Sequence, residues 1–289
     1  MQPFIINHMD GTCRHELQKQ DASSRKADAT RPYDNPDDDP LGSLLAPMLE
    51  EGAKQIMTRH LREALRWIKA AQAELTGALT VVDLPDSAGG PLSAFSRKSR
   101  MARINLHFQI DKFAQRGATL LKVLQVFKTM ESVFQRPGGL WGPNAFEVYR
   151  GKAQRFQARA FTSASGFFRP GETDNDPKLG RLRLDTIYFM PQWVIGTNVG
   201  SLVSEPPGVI VHELAHFVGA PQNVGYIDDH GYGAVDDTER SKVYNKQPMS
   251  TLTPGQRITN ATTYANFAFQ AATGSSIGAY KEDGSTFKD

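Results

Sequence analysis

Residues 209–219 read Val-Ile-Val-His-Glu-Leu-Ala-His-Phe-Val-Gly, and the rest of the chain is best understood outward from this run. It predicts a helix. Ser204-Glu205-Pro206-Pro207 is a good opening, because a serine oxygen caps free amides and proline is tolerated in the first turn. Gly219 and Pro221 supply the stop. His212 and His216 are one helical turn apart and share a face, so both imidazoles can reach a single ion at about 2.0–2.1 Å. Ile210, Leu214 and Phe217 fall on the opposite face, toward the core. Glu213 is rotated from His212 by about 100°, which frees its carboxylate to face a water on that ion rather than bind the ion itself.

These residue types at this spacing point to metal-assisted hydrolysis with one Zn2+ per chain. Zinc lowers the pKa of its water toward about 7 and polarises a carbonyl, while Glu213 takes the proton and passes it to the leaving amine. Peptide hydrolysis is the natural reaction, with Glu213 as the catalytic base. The bland alternative is a helix with two surface histidines and no metal.

A third protein ligand is required. The extended metzincin pattern would place a histidine at position 222, where this chain has Gln222, although Gly219 fits and Pro248-Met249-Ser250 is faintly similar to the methionine turn of that group. A thermolysin-like arrangement would use a glutamate farther along, for which Glu239 is the candidate. An aspartate a short loop after the helix is the third option, and Asp228, Asp229, Asp236 and Asp237 all qualify by distance along the chain.

Asp229-His230-Gly231-Tyr232-Gly233 resembles the D-Y-A-Y-G segment of the aspzincins, the deuterolysin and peptidyl-Lys metalloendopeptidase group. Thr186-Ile187-Tyr188-Phe189-Met190-Pro191-Gln192-Trp193 is similar to the strand that precedes the catalytic helix there, and Asn260-Ala261-Thr262-Thr263-Tyr264-Ala265-Asn266-Phe267-Ala268 to the closing helix. The likeness covers about residues 180 to 270. It implies Asp229 as third zinc ligand beside His212 and His216, with His230 as the rival at the next position, and Tyr232 as the phenol that stabilises the oxyanion. There are departures. The 13-residue step from His216 to Asp229 is longer than in that group, so the loop from Gly219 to Ile227 must bulge or fold back. In lysine-specific members, acidic residues of the closing helix recognise the substrate lysine; here the matching positions are Thr262 and Ala265, which argues against lysine specificity.

Toward the N-terminus, Leu49, Ala53, Ile56, Leu61, Ala64, Leu65, Ile68, Ala71 and Leu75 recur at helical spacing, with Gly77 as a stop. A second helical tract covers about residues 98–135, with Leu120, Leu124, Phe127, Met130 and Phe134 as its stripe and Gly117 as its break. His60 and His107 within these tracts read as surface or satisfied core histidines. Short strands are expected at 146–149 and 156–161, a loop at 170–180, a strand at 182–189, and a final helix from Pro254 to Ala271. The expected fold class is α+β: zincin-like, mostly helical, with a small sheet next to the active-site helix. Its expected parts are a mobile tail over 1–40, a helical part over 41–140 and a catalytic part over 141–289, of which 41–289 can form one domain.

Composition narrows the classes. The 289 residues carry 33 basic and 31 acidic side chains, too balanced an inventory for an electrostatic case for nucleic acid or an anionic membrane. A protein or peptide substrate stays open, and oligomeric state is not readable. Cys13 is the one cysteine, so no intrachain disulfide forms. Together with His8 and His15 it offers metal-binding side chains in the tail, but a short tail supplies nothing to orient them. The first residues lack the features of a secretory signal, and no apolar stretch approaches the roughly 18 residues of a membrane span. The expectation is a cytoplasmic protein, or one exported by a dedicated system. The acidic end of the tail suggests a prosegment over the cleft. A binding or effector protein with an inert metallopeptidase fold is the reading from a different class.

Overall fold

Alternating steps of four and three residues place Met57, Leu61, Ala64, Ile68, Ala71, Leu75 and Ala78 on one face of helix α1 (Pro40–Leu79), and all of them are buried. Alanine at 64, 71 and 78 keeps that face thin, so neighbouring helices approach closely. The computed structural model describes residues 5–8, 40–83, 91–137, 139–142, 145–149, 160–176, 180–189, 206–232 and 247–274. Two details of α1 differ from expectation. Ile56 is 43% exposed, because the buried stripe takes Met57 instead. Gly77 does not stop the helix; the Arg100 guanidinium lies where its side chain would begin, so this glycine admits a crossing neighbour.

Helix α2 (Pro91–Phe108) opens on a proline and is followed by a short 3-10 turn at Ile110–Lys112 and then α3 (Arg116–Val133). The break in this tract is at Gln109, not Gly117. Gln109 takes a left-handed conformation with φ 50°, and its N–H still bonds the Asn105 carbonyl at 3.1 Å. Gly117 sits in the first turn of α3 instead. Most of the predicted stripe holds: Leu120, Leu124, Phe127 and Met130 are buried, joined by Val123, Val126 and Val133, while Phe134 caps the helix end and is half-buried.

The main sheet has strand order β1-β3-β6-β2, from β1 (Ile5–His8), β3 (Ala160–Ser163), β6 (Ile187–Phe189) and β2 (Phe146–Val148). It is mixed: β3 runs antiparallel to β1 and β6, while β2 and β6 are parallel. Ile5–His8, expected within the tail, is thus an edge strand; Cys13, His15 and the rest of 9–39 lie outside the described residues. The stretch 182–189 is two strands rather than one. β5 (Gly180–Arg183) closes a hairpin with β4 (Thr173–Asp176), where a loop was expected, and β6 belongs to the main sheet. The chain changes sheets at Asp185, whose fully buried carboxylate accepts hydrogen bonds from the Arg183 guanidinium and the Gly171 N–H. That turn-stabilising pair looks like ordinary alternation in the sequence.

Between sheet and helices runs α4 (Pro206–Val218), packed against α1, α3 and β3 and buried at every position from Pro207 to Val218. Two short strands follow, β7 (Gly231–Tyr232) and β8 (Gln247–Pro248), paired in parallel. The final helical stretch is broken in two: α5 (Pro254–Ile258), opened by a Thr253–Gln256 capping box, and α6 (Ala261–Thr273). Helix α6 packs on α4, α1 and α2. One contiguous core joins these helices to the sheet, with Phe108, Phe127, Tyr264 and Phe267 meeting edge to face or tilted at its centre. The protein is therefore mixed α/β, mostly helical, with a small sheet. Among the described residues no helix is long and apolar enough to cross a membrane.

His107 is a core histidine, but only half satisfied, since its buried Nδ1 has no hydrogen-bond partner. It is fully buried, with Nε2 2.7 Å from the Gln270 amide oxygen. Burial outweighs that hydrogen bond and pushes its pKa down to about 4 from 6.5. The unfolded chain therefore binds this proton first. Stability is full above about pH 6.5 and falls as the pH drops toward 4, by about 3 kcal/mol at ~1.4 kcal/mol per unit. His107→Gln keeps an amide donor but cannot titrate. Its denaturant-measured stability relative to wild type is expected to improve by that amount between pH 7 and 4; parallel profiles would show that His107 does not carry the effect.

Candidate metal centre

Helix α4 is apolar on nearly all sides, so its polar side chains can only meet one another or a partner brought to them. His212 and His216, one turn apart, turn Nε2 toward a common point 2.9 Å from each other. The third corner is Asp229, whose Oδ1 lies 3.1 Å from His212 Nε2 and 3.3 Å from His216 Nε2. All three side chains are buried, and among the described residues this is the cluster able to hold a metal. The spacings fit one small ion. A tetrahedral zinc with bonds of about 2.0–2.1 Å holds its donors about 3.3 Å apart. Two imidazole lone pairs and a carboxylate converging this closely repel unless a cation or a proton stands between them.

Each histidine is oriented from behind. Nδ1 of His216 donates to the Ile227 carbonyl at 2.9 Å, which leaves Nε2 as the lone-pair nitrogen. Nδ1 of His212 is 3.3 Å from the hydroxyl of Thr262 on α6. Thr262 is thus a fully buried threonine turned to His212. Charges are coupled as well. Burial opposes ionisation of both His216 and Asp229, but their mutual attraction prevails. It raises His216 to about 9, with Glu213 and the Ile227 carbonyl assisting, and with His212 it holds Asp229 well below the usual carboxylate range.

The loop that delivers Asp229 folds back, as its length requires. Ala220 and Gly225 form an isolated antiparallel bridge around a turn, and the Asn223 side chain donates to the Val218 carbonyl at 3.1 Å. Gly219 is needed where the chain reverses, since a Cβ there would stand 2.8 Å from the Ile227 backbone nitrogen. The end of α4 is closed from another element. Ser165, at φ 56°, donates its N–H to the His216 carbonyl at 3.0 Å and its hydroxyl to the Gly219 carbonyl, two acceptors that the helix end leaves over.

Of the other sequence candidates, Asp228, His230 and Gln222 stand outside the triangle. Asp228 is exposed and bridges Asn260 through its backbone. The His230 ring points to the Thr259 hydroxyl, 3.1 Å from Nε2, and stays out of the triangle. Gln222 is exposed in the turn. Asp236, Asp237 and Glu239 lie outside the described residues, as does the side chain of Tyr232, whose backbone forms β7. Glu213 is fully buried on α4 beside the triangle. Sequence reasoning missed Asn260, Thr262 and Ile227 as supports, because hydrogen bonds to an imidazole's far nitrogen or to a neighbouring amide leave no spacing pattern. No family model matches the chain, and neither a curated protein nor a solved structure matches it.

If the triangle holds zinc, Asp229→Ala loses it. Thr262→Val keeps the shape but removes the hydroxyl, and is expected to weaken zinc binding about 10-fold in competition with a chromophoric chelator. Stoichiometric zinc retained by Asp229→Ala would move the third ligand elsewhere, with Glu239 the first residue to test.

Proposed function

We propose that this chain is a zinc-dependent endopeptidase of the aspzincin kind, with a zincin-like fold in which the small sheet backs the ligand-bearing helix. The observation that supports it most is the convergence of His212, His216 and Asp229 onto one point, with Glu213 adjacent to the first of them on a rigid, buried helix. A zinc ion bound there would polarise a peptide carbonyl and acidify a water. The chain's own part is then positional and protonic. Glu213 accepts the proton of the attacking water and delivers it to the departing amide nitrogen. Its burial serves this role, because a carboxylate shielded from bulk water keeps the proton for the leaving group. Tyr232 is the proposed donor to the oxyanion, three residues past Asp229 in a glycine-flanked segment.

The substrate class is protein or peptide, with one Zn2+ per chain. Lysine selectivity is not part of the proposal. Thr262 is engaged with His212 and Ala265 is buried and uncharged, so neither offers a lysine ammonium a carboxylate.

Glu213→Gln tests the reading. It is expected to retain one zinc per chain and to lose turnover of an unfolded protein substrate by at least about 100-fold, the lower range for a lost general base. Wild type that is fully metallated yet cleaves nothing in a denatured protein mixture, judged by mass spectrometry of the products, would leave an inert binding protein in its place.

A further inference from the structure

Asn260 stands at the N-cap of α6, where an asparagine side chain ordinarily accepts a hydrogen bond from the first turn of its own helix. Here it does not: its side chain makes no cap bond. Its Oδ1 instead accepts the backbone N–H groups of His230 and Gly231 at 2.8 and 2.9 Å. Its Nδ2 donates to the Thr263 hydroxyl at 3.1 Å and approaches Met249 Sδ at 3.2 Å. Two backbone donors on one side and a hydroxyl oxygen and thioether on the other leave a single amide orientation that satisfies both. Asn260 is completely buried, so no water can replace these partners.

The residues gripped are the neighbours of Asp229. On the C-terminal side, His230 and Gly231 are held by the Asn260 side chain. On the N-terminal side, Asp228 N–H donates to the Thr259 carbonyl at 2.8 Å, and the Asp228 carbonyl accepts from Ala261 N–H at 3.0 Å. Asp229 is therefore clamped from both sides by Thr259, Asn260 and Ala261. The next residue, Thr262, reaches His212. This also accounts for the break between α5 and α6: an unbroken helix would have no backbone free to pair with Asp228.

We infer that Asn260 is a positioning residue for the metal centre, fixing the distance and angle at which the Asp229 carboxylate meets His212 and His216. The inference rests on the metal reading of that triangle. A helix cap is given up so that the ligand loop is held rigidly, and the loss of that hold affects ligand geometry before it affects the fold.

Chelator-competition measurements of zinc affinity, visible spectra of the cobalt-substituted protein and thermal unfolding of the metal-free protein test this on the full chain. Asn260→Ala is expected to weaken zinc binding by about 10- to 100-fold and to shift or broaden the cobalt ligand-field bands. Asn260→Asp keeps an acceptor for both backbone N–H groups and is expected to recover most of the affinity. Tyr264→Phe removes a buried hydrogen bond to the Ile258 carbonyl in the same stretch without touching the ligand loop, and should lower stability while leaving affinity and spectrum unchanged. The inference is overturned if Asn260→Ala is destabilised but binds zinc as wild type with an unaltered cobalt spectrum, or if Tyr264→Phe changes both as much. Should Asn260→Ala not fold, Asn260→Gln, which pushes the loop outward by one methylene, takes its place; an unaltered spectrum there overturns the inference equally. Wild type that binds neither zinc nor cobalt sinks the metal reading itself and this inference with it, an outcome distinct from metal bound equally well by wild type and variant.

Discussion

Three donor atoms within 3.3 Å of one another, all removed from water, set the terms for the rest of this structure. Two imidazole nitrogens and a carboxylate so placed repel when all are deprotonated, and the carboxylate alone is costly to bury. The arrangement survives only if its attractions are strong and its geometry cannot relax. Attraction comes from pairing Asp229 with cationic or metal-bound histidine. Rigidity has to come from everything around it.

Most of that rigidity is hydrophobic. Helix α4 is enclosed by α1, α3, α6 and β3, so His212 and His216 cannot swing into solvent without unpacking a core. The thin face of α1 permits this enclosure. Polar contacts then set the finer positions: Ser165 closes the end of α4, the Ile227 carbonyl orients one imidazole and Thr262 the other. Asn260 ties the backbone just after Asp229 to the start of α6. These polar supports reach the centre from three separate parts of the chain, so the site and the core are mechanically one object.

Where sequence reading and structure part, the cause is local chemistry serving a distant contact. Gly117 had the residue type of a helix break, but the chain turned at Gln109, whose left-handed backbone keeps its hydrogen bonds to Asn105 and Lys112, contacts that no composition rule exposes. The run 182–189 alternated well enough for one strand; the buried Asp185 divides it between two sheets. The tract 254–271 has helical periodicity throughout, yet Asn260 interrupts it because Asp228 pairs with its flanks. Ile56 and Met57 were interchangeable as stripe members until neighbouring helices chose between them.

From sequence alone, the helix around 209–219, its two histidines and its glutamate were legible, because periodicity and ligand spacing are properties of a few consecutive residues. So were the main helices, the small sheet and the need for the loop after Gly219 to fold back. The choice of the acid that meets the histidines was not: Asp228, Asp229, Asp236 and Asp237 were equivalent by distance along the chain, and only resemblance favoured Asp229. The fold brings Asp229 to the histidines while Asp228 stays exposed and the His230 ring bonds Thr259. That selection belongs to tertiary structure, because it depends on which backbone amides α5 and α6 present to the loop. Such a contact, between residues thirty apart, leaves no periodic trace in the chain itself.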